Sequence, residues 1–122
     1  MIASMIGIAF DCPDAAALAD FYARLTGWKK EIEGEAFAAL RTPQGVLIVF
    51  QAVESYEPPV WPWETGRQGQ MAHIDYMVDS LPEAEAHALA CGATKASVQY
   101  YDTSTVMLDP AGHPFCLSTV QQ

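Results

Sequence analysis

His73 and Asp75 stand two residues apart in the run His73-Ile74-Asp75-Tyr76-Met77. In a β-strand that spacing sends both side chains to one face together with Met77, while Ile74, Tyr76 and Val78 take the other. The second set suits packing beneath a helix, which leaves an imidazole and a carboxylate side by side. Such a pair can act as a general base or orient a polar group of a ligand. It can equally be a structural pair, satisfied by water or backbone. Cys116 and Ser118 repeat the two-residue spacing in a later run, and Val49 and Gln51 in an earlier one. No cation adjoins Cys116 to lower its pKa, so the thiol reads as a small inert hydrophobe rather than a nucleophile. Trp61 and Trp63, with Tyr56, could stack over a flat or cationic ligand, or pack on the domain or on a partner subunit. Phe50, Tyr100, Tyr101 and Phe115 read as core or wall residues, His113 as a turn residue, and His87 as a helix residue without assigned chemistry. There is no phosphate-binding glycine loop and no serine-nucleophile elbow.

The elements that must carry these residues occur twice. An apolar run over residues 3 to 11 predicts a strand, and Asp14 is a suitable N-cap for a helix whose Leu18, Phe21, Tyr22 and Leu25 recur at helical spacing up to Gly27. Strands follow over 36 to 41 and 46 to 53, separated by Thr42-Pro43-Gln44-Gly45, with one more expected around Lys29 to Glu33. Residues 54 to 70 hold Pro58, Pro59, Pro62, Gly66 and Gly69, which predicts a connecting loop. The pattern then restarts. A strand is expected over Met71 to Val78, and Ser80-Leu81-Pro82-Glu83 has capping-box spacing. The helix it opens has Leu81, Ala84, Ala88 and Cys91 as its inner stripe and ends at Gly92. Strands are expected at about Lys95 to Tyr101, Ser104 to Leu108 and Phe115 to Val120. Lining up the halves sets Gly7 opposite His73 and Val49 opposite Cys116.

Composition bounds the partners. The 122 residues suffice for one compact domain and carry fifteen acidic against six basic groups, a net charge of −9. That charge repels nucleic-acid backbones and anionic membrane surfaces, and nothing in the sequence predicts a membrane span or signal segment. Cys12, Cys91 and Cys116 are odd in number and far apart, without C-x-x-C spacing. They predict a reducing, cytoplasmic setting rather than a disulfide framework or structural zinc site.

The doubled β-α-β-β-β plan, Phe21-Tyr22 followed by Gly27-Trp28, the strand at His73-Ile74-Asp75 and the turn Asp109-Pro110-Ala111-Gly112-His113-Pro114-Phe115 resemble the vicinal oxygen chelate superfamily of glyoxalase and bleomycin-resistance proteins. The resemblance covers essentially the whole chain and extends to the Pro-Trp loop Pro58-Pro59-Val60-Trp61-Pro62. It implies an α+β fold of two tandem βαβββ modules, about 1–53 and 71–122 with the loop at about 54–70, curving into an incomplete β-barrel around a cavity. It also implies a homodimer. On that fold Val49, Gln51, His73, Asp75, Cys116 and Ser118 face the cavity, and Trp61 and Trp63 lie near its mouth.

In metal-using relatives each module gives one ligand from its first strand and one from its last. Those positions are here Gly7, Val49, His73 and Cys116. Glycine and valine carry no donor, and one imidazole with one thiol is a poor set for a catalytic divalent ion, so no cofactor is expected. The expected role is therefore small-molecule binding, with metal-independent lyase or isomerase chemistry around His73 and Asp75. Two alternatives stand beside it: a binding protein of the bleomycin-resistance type that sequesters a cationic aromatic compound with Trp61 and Trp63, and a metal-dependent lyase or dioxygenase in which Asp75 or water replaces the missing ligands.

Overall fold

A computed structural model describes residues 1–120 and divides the chain into two compact units, 1–56 and 57 onward. Each unit is a four-stranded mixed sheet with one helix, and neither sheet closes on itself. In the first, β1 (Gly7–Cys12), β2 (Lys30–Glu33), β3 (Phe37–Arg41) and β4 (Leu47–Ala52) lie in the order β1-β4-β3-β2. In the second, β5 (Ile74–Met77), β6 (Thr94–Lys95), β7 (Ser104–Leu108) and β8 (Pro114–Ser118) lie in the order β5-β8-β7-β6. The two orders are the same. In both, the first strand runs parallel to the last and the remaining neighbours are antiparallel. The chain is thus an α+β protein of two tandem modules.

Helix α1 (Ala15–Thr26) begins where Asp14 accepts a hydrogen bond from the Ala17 N–H at 3.0 Å, and it ends at Gly27, whose φ of 76° is the left-handed conformation that glycine adopts without a Cβ penalty. It buries Ala15, Leu18, Ala19, Phe21 and Tyr22. Tyr22 stacks on Phe50 of β4 with ring centroids 5.2 Å apart, which binds helix to sheet. Helix α2 (Leu81–Cys91) begins at Ser80, whose hydroxyl accepts from the Glu83 N–H, as the capping spacing predicts. Its buried face is smaller, with Ala88 and Cys91 buried and Leu81 and Ala84 half-buried. Beneath it Met107, Phe115 and Leu117 form the core of the second sheet.

Two expectations are corrected. The strand expected at Lys95 to Tyr101 stops at Lys95. Beyond it the Ala96 N–H makes one last backbone bond to the Val106 carbonyl at 3.1 Å, and the Gln99 side chain does the rest: its carbonyl accepts from the Val106 N–H and its amide donates to the Val106 carbonyl, both at 2.8 Å. A side-chain amide thereby satisfies backbone groups that a neighbouring strand would otherwise hold. Tyr100 and Tyr101, read as core or wall residues, are 61% and 73% exposed, whereas Phe50 and Phe115 are buried as expected. No helix among the described residues is long and apolar enough to cross a membrane.

Candidate functional site

The alternation read from the sequence holds in β5. Ile74 and Tyr76 are half-buried on the side of Phe115, with the Tyr76 and Phe115 rings edge to face, while His73, Asp75 and Met77 are exposed. The parallel register places Asp75 directly across from Cys116 and Met77 across from Ser118. His73, one residue before β5, turns Nε2 to within 3.1 Å of Asp75 Oδ1. The Cys116 thiol hydrogen-bonds the same carboxylate. One donor atom from each of the three residues lies within 4.8 Å of the other two.

Asp75 is the hub of this cluster. A carboxylate only accepts, so the contact puts the proton of a neutral His73 ring on Nε2 and leaves Nδ1 as its basic lone pair. The Cys116 thiol is pushed up to about 11, first by burial among β5, β7 and β8, then by the negative charge of Asp75. At neutral pH it is a proton donor to Asp75 rather than a nucleophile. The imidazole and carboxylate are partly open to solvent, with side-chain exposures of 36% and 41%.

Other residues singled out in the sequence have partners of their own. Ser118 is 2% exposed and its hydroxyl donates to the Val120 carbonyl at 2.8 Å, so it is engaged inside the fold. Trp61 donates its indole N–H to the Val98 carbonyl at 3.2 Å and meets Tyr100 edge to face. Trp63 is 63% exposed and lies over Gly69, where a Cβ would stand 2.1 Å from the indole Cδ1. In the first unit, Val49 is half-buried opposite Ala9 and Ala39, and the exposed Gln51 donates to Asp11 Oδ1 at 2.7 Å. Asp109 organises the turn before β8 by accepting from the Ala111 and His113 N–H groups, which gives His113 its place in the turn.

Two four-stranded modules of one topology, each with a single helix on its sheet, define the glyoxalase-like class of α+β proteins. The model of the glyoxalase-like domain family matches residues 7–118, and the chain belongs to that family, within the vicinal oxygen chelate group. Solved structures agree on the fold. A glyoxalase/bleomycin resistance protein/dioxygenase family enzyme from Burkholderia phytofirmans PsJN is 22% identical, with a TM-score of 0.72 over 94% of this chain and 97% of its own. The fosfomycin resistance protein FosX from Listeria monocytogenes, solved with Mn(II) and dihydroxypropylphosphonic acid, is 13% identical, with a TM-score of 0.73 over 99% and 93%. A possible glyoxalase from Bacillus cereus is also 13% identical, with a TM-score of 0.70 over 96% and 99%. No curated protein matches the chain at a significant level.

The FosX complex raises the question of a hard divalent ion, and the residues present do not fit one. Gly7 and Val49, the first module's ligand positions by family resemblance, offer no donor. Nor does Gly7 leave room for a side chain, since a Cβ there would stand 2.5 Å from the Leu47 carbonyl oxygen. What remains in the second unit includes a thiol, a soft donor unsuited to Mn²⁺.

Proposed function

We propose that this domain binds a small molecule at His73, Asp75 and Cys116 and moves a proton on it, with lyase or isomerase chemistry and without a hard divalent metal. The 3.1 Å contact between His73 Nε2 and Asp75 Oδ1 carries this reading. Asp75 fixes the ring and stabilises the imidazolium formed when Nδ1 takes a proton, and the Cys116 thiol hydrogen-bonds the same carboxylate. A C–H next to a carbonyl is the fitting substrate group, because when Nδ1 takes its proton the C–H electron pair passes onto the carbonyl oxygen as an enolate, which takes a proton back at carbon or oxygen. The cytoplasm is the setting we assign, from three cysteines that are odd in number and far apart in the sequence, and a homodimer is the assembly we assign, from the exposed apolar Ile2, Ile6 and Ile8.

The test is hydrogen–deuterium exchange. Chelator-treated protein is incubated in D₂O with a panel of α-hydroxycarbonyl compounds and keto acids, and loss of individual C–H signals is followed by proton NMR. Exchange by the metal-stripped protein supports the reading; exchange that appears only after Mn²⁺ is restored overturns it.

A second reading is supported by the exposed Trp63, Tyr100 and Tyr101 in an acidic chain, which suit stacking on a flat cation. It predicts quenching of tryptophan fluorescence by cationic aromatic compounds below millimolar concentration, and no quenching at that level removes it.

A further inference from the structure

We infer that the second unit binds a thiophilic divalent cation, Zn²⁺ or a close chemical relative, through His73, Asp75 and Cys116, and that this ion blocks proton transfer. This donor set differs from the two-module arrangement implied by resemblance, because all three residues belong to one unit and Asp75 stands outside the resembling positions. Binding follows from the donor geometry alone. The claim of inhibition rests on the function proposed above.

The geometry is close to what such an ion needs. Tetrahedral zinc bonds of ~2.0–2.3 Å place neighbouring donors about 3.3–3.7 Å apart. The three donor atoms already lie within 4.8 Å of one another, and His73 Nε2 and Asp75 Oδ1 are 3.1 Å apart. Side-chain rotation closes the difference, since the imidazole and carboxylate are partly exposed and free to adjust. The backbone is fixed in register: Asp75 and Cys116 are direct partners of adjacent parallel strands. Three protein donors leave the fourth position to water or a small ligand.

The donor types choose the ion. Thiolate, imidazole and carboxylate together suit zinc, whereas magnesium, calcium and manganese prefer oxygen ligands throughout. The net charge of −9 raises the local concentration of cations. The consequence for chemistry follows from the atoms used. Coordination through Nδ1 takes the basic lone pair itself, and coordination through Nε2 displaces the Asp75 contact that orients the ring. Either way the base is lost.

Cobalt(II) reports the site without reference to any activity. Titrated into metal-free protein, Co²⁺ is expected to give tetrahedral visible absorption and a near-ultraviolet thiolate-to-cobalt charge-transfer band, both removed by one equivalent of Zn²⁺. C116S abolishes the charge-transfer band, and H73A and D75N each weaken Zn²⁺ binding by about tenfold or more. Cys91, whose sulfur lies 3.8 Å from His87 Nε2, is the rival site, so C91S must leave the band intact. Circular dichroism verifies the fold of each variant, and C116A replaces C116S if the latter does not fold. Absence of the band at millimolar Co²⁺, or a band that survives loss of Cys116, overturns the proposal. So does Mn²⁺ binding as tight as Zn²⁺ by electron paramagnetic resonance. Proton exchange that persists with Zn²⁺ bound overturns the inhibition, and exchange without Zn²⁺ binding overturns this inference while leaving the proposed function standing.

Discussion

Asp75 faces Cys116 across the parallel pairing of β5 with β8 and lies 3.1 Å from His73 on its own side of the chain. One carboxylate therefore meets two groups of different character. The imidazole keeps a free basic nitrogen, and the thiol is held protonated.

The state of Cys116 gives a first prediction. With its pKa near 11, the thiol should alkylate slowly with iodoacetamide at neutral pH. D75N should accelerate the reaction, because removing a negative charge stabilises the thiolate, though burial keeps the pKa above the ordinary value. Peptide mass spectrometry after timed alkylation reads this rate separately from Cys12 and Cys91. The same shift has a stability consequence. The unfolded chain releases this proton near 9.0 and the folded one near 11, so the contribution is complete below pH 9 and is lost as pH rises between those values. Chemical denaturation across that window should show a smaller alkaline loss for C116A than for the unaltered protein.

At Gly7, G7A is expected to destabilise the domain by about 1–3 kcal/mol, because its Cβ would meet the Leu47 carbonyl oxygen at 2.5 Å and the strand must shift. G7H should cost at least as much and confer no Mn²⁺ binding. Thermal melts and Mn²⁺ titration followed by electron paramagnetic resonance check the two statements.

Gln99 offers a test of the second sheet. Q99A leaves the N–H of the nearly buried Val106 without its side-chain partner, at a cost of about 1–3 kcal/mol. Because Val106 pairs directly with Cys116, amide hydrogen exchange should quicken at β7 and β8 while β3 and β4 remain protected.

The sequence made the repeated architecture readable, because its signals were local. Asp14 and Gly27 bracket α1, Ser80 and Gly92 bracket α2, and the Asp109 turn sets up β8, all through contacts spanning four residues or fewer. The common face of His73 and Asp75 follows from the two-residue period of a strand. What escaped depended on distance along the chain. That Asp75 meets Cys116 directly is a matter of register between strands forty residues apart, which the pattern within either strand does not determine. The early end of β6 had the same origin, since a strand-like run gives no sign that the Gln99 amide will take the backbone's place. Tyr100 and Tyr101 then fall in an irregular segment and face solvent, against their aromatic character.

Asp75 also bears on the chemistry itself. D75N should lower proton exchange by about 10²–10⁴-fold, since the altered side chain no longer orients the ring or stabilises its charged form. NMR of ¹⁵N-labelled histidine should show His73 as the Nε2–H tautomer in the unaltered protein and a mixture of tautomers in D75N.

The most direct measurement compares H73A with the unaltered protein, both stripped of metal and confirmed as folded, in D₂O exchange of the substrate that the panel identifies. A base at His73 Nδ1 predicts exchange at least about 10²-fold slower in H73A; equal rates in the two proteins would contradict it.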